Sequence, residues 1–187
     1  MSTILDLIGS AVIGAAVILL MLHLNMYSSN IKFSSDSELR LQQDAKTLAD
    51  IVSYDLRKVG FRKSGTAMIT AQPKKISFYS DIDSNGIVDV ITYQLSDSLL
   101  VNNTTNPRDK ILYRIVNNDT SKGPSLGLVD LNFEYRNVTG NITANLDSIK
   151  YINADLWVES LEMVKDPKGK NNYLFTYWEL TINPRSI

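Results

Sequence analysis

Leu7-Ile8-Gly9-Ser10-Ala11-Val12-Ile13-Gly14-Ala15-Ala16-Val17-Ile18-Leu19-Leu20-Met21-Leu22-His23-Leu24-Asn25-Met26-Tyr27-Ser28-Ser29-Asn30-Ile31 runs for 25 residues without an Asp, Glu, Lys or Arg. A hydrocarbon layer about 30 Å thick is crossed by about 20 apolar residues in a helix, so this stretch is long enough to span one. A secretory signal would need a basic start and an apolar run of about 7–15 residues. Here the start is Met-Ser-Thr-Ile-Leu-Asp, the run is longer, and Tyr27-Ser28-Ser29-Asn30 is a poor cleavage site. The expectation is a retained anchor carrying one soluble domain.

Within the anchor, Ser10 and Gly14 are four residues apart, as are Ala11 and Ala15, and Gly9 adjoins them. Small residues at that spacing let two helix backbones approach closely. Asp6, His23 and Asn25 are costly in lipid and are expected to face protein or the interface. The plainer alternative is that Asp6 and Asn25 mark the two membrane boundaries. Asp6, Gly9, Ser10, Gly14 and Ala15 are therefore the candidate helix-packing residues.

C-terminal to the anchor the character changes. Residues 28–38 form a polar joint in which Ser35 and Glu38 match a capping box, which allows either a restart of the helix there or its continuation through the joint. Leu41, Ala45, Leu48, Val52, Leu56 and Val59 then recur every three or four residues, which defines one apolar stripe. Asp44, Lys46, Asp50, Ser53, Asp55, Arg57 and Lys58 take the opposite side, and Gly60 follows as the expected C-terminal cap. Were the joint helical, residues 4–59 would make one rod of roughly 80 Å.

After Gly60 the apolar period becomes two. Strands are expected at 67–71, 75–80, 87–95, 99–102, 110–116, 128–136, 149–158 and 173–182. One amphipathic helix followed by a run of strands predicts an α+β fold, with a long N-terminal helix packed on a mainly antiparallel, meandering sheet. The organisation read from this is an apolar helix at 1–31, an amphipathic continuation at 32–60 and a β-sheet domain at 61–187.

Composition narrows the function. The formal net charge is −1 and no run of Lys or Arg exceeds two residues, so nucleic acid is not an expected partner. The absence of cysteine excludes disulfides, thiolate metal sites and thiol nucleophiles. His23, the single histidine, lies in the apolar run, which leaves no histidine for a Ser–His system in the soluble part. No enzyme activity is expected. Carboxylates that could act on a sugar (Asp81, Asp83, Glu134, Glu159) are not singled out as a pair. Tyr135, Tyr151, Trp157, Phe175, Tyr177 and Trp178 sit at strand positions and are expected to serve core and cross-strand packing.

The sharpest local motif is Asp81-Ile82-Asp83-Ser84-Asn85-Gly86-Ile87-Val88-Asp89. It puts Asp81, Asp83, Asn85, Gly86 and Asp89 at positions 1, 3, 5, 6 and 9 of a calcium-loop pattern, with oxygen donors at alternate residues. Position 12 is Thr92, so the bidentate acid is lacking. Asn85-Gly86 is also a strong hairpin turn in its own right. A plain turn and a calcium site both fit, and calcium is the one cofactor the sequence suggests.

The apolar first helix, the amphipathic 41–61 segment ending Leu56-Arg57-Lys58-Val59-Gly60-Phe61, the acidic strand–turn–strand 76–95 and the Trp-containing last strand Tyr177-Trp178-Glu179-Leu180-Thr181-Ile182 resemble the type IV filament superfamily. The closest likeness is to PilW-type minor pilins and pseudopilins. In that family a basic leader ending in Gly precedes the helix, and a Glu stands at the fifth mature position; this chain shows neither, and Asp6 is the acid nearest that position. The resemblance implies a domain outside the cytoplasmic membrane, apolar helices packed laterally, and extraction from the membrane into a filament. Copies of the chain or other pilin-like subunits would be its partners, Asp6 would meet a neighbouring subunit's amine, and the filament would serve adhesion, motility, secretion or DNA uptake. The alternative is a single-span anchored domain that binds a partner without polymerising.

Overall fold

The computed structural model describes residues 2–96, 105–123, 126–165 and 169–186. The strand expected at 99–102 lies outside them. One helix, α1 (Ser2–Leu56), runs for 55 residues, about 80 Å at 1.5 Å per residue. Of the two alternatives at the joint, the structure takes the continuous rod, with no restart at Ser35. No Gly or Pro stands between residues 28 and 38, so the propagating hydrogen bonds meet no obstacle, and Ser35 and Glu38 lie exposed inside the helix.

The two halves of α1 live in different surroundings. From Thr3 to Phe33 every residue is exposed. Lower down, Leu41, Ala45, Leu48, Ala49, Val52 and Leu56 are buried, the stripe expected from the 3–4 spacing. The helix ends at Leu56, ahead of the expected Gly60. Lys58 N–H bonds to Asp55 O and Val59 N–H to Leu56 O, tightening the chain into turns. Gly60, at φ 78°, then donates its N–H to Tyr79 O (2.8 Å) and hands the chain to the sheet.

The strands form two main sheets where a single meander was expected. The first is a five-stranded antiparallel meander of β1 (Met68–Gln72), β2 (Lys75–Ser80), β3 (Asp89–Leu95), β4 (Leu112–Val116) and β5 (Asp119–Lys122), in that order. The second has β7 (Tyr151–Glu159) between β6 (Leu128–Arg136) and β10 (Phe175–Ile182). A small pair, β8 (Val164–Lys165) with β9 (Asn171–Asn172), completes the strands, and a 3-10 turn spans Leu146–Ser148. The period-two pattern predicts most of the strands to within two residues. It misses β5, whose four residues are all exposed and carry no apolar alternation, and the two-residue strands β8 and β9.

α1 packs on β10, β7 and β8, and one continuous core joins it to both sheets. Phe78, Ile91 and Tyr93 enter that core from the first sheet; Leu131, Ile152 and Leu156 enter from the second. The sheets are stitched where Phe133 N–H donates to Pro73 O (2.8 Å), Tyr135 Oη–H to Gln72 O (3.0 Å) and Lys110 N–H to Leu128 O (2.7 Å). One face of each sheet is thus covered, and the outer faces are left to solvent.

Candidate functional site

Two features of the structure carry chemistry: the bare half of α1 and the acidic loop between β2 and β3. On the helix, Asp6, Gly9, Ser10, Gly14 and Ala15 are all exposed. Ser10 Oγ–H is turned back onto Leu7 O (2.9 Å), which satisfies the hydroxyl inside its own helix. A Cβ placed on Gly9 or Gly14 would meet no atom within 4 Å. Ile4, Leu5, Ile8, Val12, Ile13, Ile18, Leu19 and Leu20 are each more than half exposed, on all sides of the rod. An apolar surface of that extent far exceeds the few hundred Å² that a water-soluble monomer ordinarily shows. The helix is long and apolar enough to cross a membrane.

In the acidic loop the β2–β3 ladder stops at Ser80↔Asp89, so the connection is residues 81–88 rather than a two-residue turn at Asn85-Gly86. Beyond it Asp81 is fully buried, and its N–H donates to Phe61 O (3.0 Å) instead of to β3. Arg62 Nη1 donates to Asp81 Oδ2 at 2.7 Å, and Gly86 N–H donates to the same oxygen at 2.9 Å. Loss of solvation pushes the Asp81 carboxyl up, but the Arg62 bond and charge together with backbone N–H groups outweigh it and hold the group below the ordinary carboxylate value. Asn85 N–H and its side-chain amide donate to Asp83 (3.1 and 2.8 Å), while Asn85 Oδ1 accepts from Ile87 N–H (2.7 Å). Asp89 accepts from the Asn117 amide at 2.9 Å.

The loop thereby brings Asp81, Asp83 and Asp89 together, each with an oxygen within 4.8 Å of the others. Asn85 stands beside them through Asp83. Thr92 does not join: it lies on β3 opposite Ser77, and the two hydroxyls bond to each other at 2.8 Å. Three non-glycine residues have left-handed backbone here: Ser84 (φ 65°) within the loop, and Arg62 (φ 60°) and Asn117 (φ 55°), which bond to its acids. Sequence reasoning missed Arg62 and Asn117. Neither sits at a motif position; Asn117 is brought in by the β4–β5 hairpin, for which Asn117-Asn118 was the available signal.

The remaining acids are committed elsewhere. Glu134 pairs with Arg136 (2.5 Å). Glu159 is buried and accepts from Asn106 (2.9 Å) and Arg108 (2.8 Å). Nothing brings the two glutamates together. The aromatic residues divide between the two expected roles: Tyr135 is buried in the core, while Trp157, Phe175 and Tyr177, 40, 64 and 51% exposed, pack across β7 and β10 on the outer face of the three-stranded sheet. Phe175 stacks on Trp157 (centroids 5.3 Å apart, planes 11° apart), and Tyr177 meets Trp157 edge-on at 6.3 Å. They form a ledge on the surface; the alternation of β7 and β10 fixes which face they take, but from sequence that face could not be told from the core face.

Comparison with protein-family models, with curated proteins and with solved structures finds no match.

Proposed function

We propose that this chain is a pilin-like structural subunit of the type IV filament kind, anchored by the first half of α1 and assembled through lateral packing of that helix. The observation that carries this reading is the single unbroken helix, bare over Thr3–Phe33, free of charged side chains over residues 7–31 and docked into the domain core below. A rod of this kind can be solvated by lipid or by copies of itself, and the same surface serves both states in turn. Before assembly it lies in the cytoplasmic membrane, with the β domain on the outer side. After assembly it lies against other rods, with the sheets facing outward. Gly9, Ser10, Gly14 and Ala15 supply a face on which two backbones could come close, and Asp6 is the one acid available to meet a neighbour's amine.

Gly14→Leu tests this. The substitution meets open space in the single chain, so membrane level and domain melting are expected to stay unchanged while filaments are lost. Filaments at normal yield from Gly14→Leu cells would contradict the reading. The exposed ledge of Trp157, Phe175 and Tyr177 favours a second reading, an anchored domain that binds a partner on that sheet and never polymerises. Under that reading Gly14→Leu changes nothing, while Trp157→Ala abolishes capture of the partner.

A further inference from the structure

The acidic loop carries more charge than its fold can use. Carboxylate oxygens of Asp81, Asp83 and Asp89 lie within 4.8 Å of one another, a spacing at which like charges repel unless a cation stands between them. Among the described residues the one ion pair made to them is that of Arg62 with Asp81 Oδ2, from a guanidinium side chain that is itself half exposed. A second observation is independent of the acid count. The Asp81 side chain is sealed from solvent, yet its Oδ1 has no hydrogen-bond partner. A buried carboxylate oxygen without a donor is costly and rare, and a bound cation is one group that satisfies it.

We infer that the β2–β3 loop is a calcium-binding site, with the carboxylates of Asp81, Asp83 and Asp89 as its charged ligands. Asn85 Oδ1, which uses one lone pair on Ile87 N–H, has a second to give, and the loop spacing offers the Ile87 carbonyl as the next donor. The donors are all oxygen, with no imidazole or thiolate, which suits a hard cation. A loop of residues 81–88 suits the larger and less demanding coordination sphere of calcium better than the rigid octahedron of magnesium. Because Thr92 is bonded to Ser77 and supplies no carboxylate, water must complete the shell. The affinity then belongs to the weak class, with a dissociation constant of about 10⁻⁴–10⁻³ M. The ion would tie the end of β2 to the start of β3. Through Arg62 on Asp81 and Lys58 Nζ on Ile82 O (2.8 Å), it would also fix the turn that leaves α1. This inference does not depend on filament assembly.

The test uses the full chain in detergent micelles at constant ionic strength. Calcium chloride is titrated calorimetrically, and the Tm is read in calcium and in chelator. Expected are saturable binding of one ion and a Tm higher by about 3–6 °C at a calcium concentration ten times the dissociation constant. Asp83→Asn, at an exposed position that leaves folding intact, is expected to weaken binding at least tenfold, while Asp130→Asn, an acid on the other sheet, leaves it unchanged. Magnesium at equal concentration is expected to shift Tm by less than half as much. No saturable binding up to about 10 mM calcium, by protein shown folded by circular dichroism, would overturn the inference. Equal losses in the two Asp→Asn variants, or equal responses to magnesium and calcium, would overturn it too.

Discussion

Asp55 sits at the end of α1 with 3% of its surface exposed, and its Oδ2 accepts from Arg114 Nε (2.6 Å) and Tyr93 Oη (2.7 Å). Burial first, and then the Asp55 carboxylate beside it, drive the Tyr93 hydroxyl well above its ordinary value, which favours its role as donor to Asp55. Asp55 is buried and Arg114 partly so, and Tyr93 still donates when Arg114 is removed, so Arg114→Met is expected to cost about 1–3 kcal/mol in urea unfolding of the micelle-bound chain. A loss under about 1 kcal/mol would show that water reaches Asp55. Gly127 makes a sharper case. Its φ is 73° and an added Cβ would lie 2.0 Å from Glu159 O, so Gly127→Ala is expected to cost at least about 3 kcal/mol. Gly86→Ala, at φ 92° but in open space, is expected to cost only the backbone strain of about 1–2 kcal/mol. Asp44 tests the sign of an acid's contribution. Partial burial raises its carboxyl above the ordinary value, an effect that the nearby Arg40 charge only partly opposes. Its protonated form is therefore favoured in the fold, and the stability it adds is present below the ordinary carboxylate range and lost as pH rises through the raised value. Asp44→Asn is expected to raise Tm at pH 7 and to leave it unchanged at pH 3.

At the scale of elements, α1 shows how far periodicity reaches. Leu41, Ala45, Leu48, Val52, Leu56 and Val59 were marked by spacing alone, and all six are buried. Leu48→Ala is expected to cost about 2–5 kcal/mol, since Leu48 is 1% exposed in the shared core; Leu20→Ala, on the bare half, is expected to leave the domain's melting unchanged. Spacing placed Asp55 on the polar side, and there it failed. A helix projection shows only one cylinder, and it could not show that Arg114, 59 residues away, supplies a partly buried counterion. At the joint, residues 28–38, spacing left a restart and a continuous rod both open, and the structure has the rod. Ser35 and Glu38 are a start signal only where the chain upstream is not helical, and here it is helical from Ser2. Strand limits were legible where one face is buried and the other wet, as in β3 and β6. The exposed β5 has no such contrast and could be found only through its Asn117-Asn118 turn.

At the scale of the molecule, two sheets share one core beneath the lower half of α1, and the upper half stands alone. The α+β class was legible because a period of 3–4 gives way to a period of 2 at Gly60. The division into two sheets was not. The strands separate after β5, where β6 pairs with β7 instead of continuing the meander, and contacts such as Phe133 N–H to Pro73 O then join the two sheets; a single sequence holds no local mark for either. The acidic cluster was legible since its three acids lie within nine consecutive residues, Asp81 to Asp89. Its setting was not: Arg62 and Asn117 come from the turn after α1 and from the β4–β5 hairpin. The most direct test of the central claim is electron microscopy with intact-mass measurement on material sheared from the cell surface. The proposed function predicts filaments that contain this chain with residues 7–31 still attached. A chain found only as a freely diffusing monomer without those residues, or only as isolated monomers in the membrane, would contradict it.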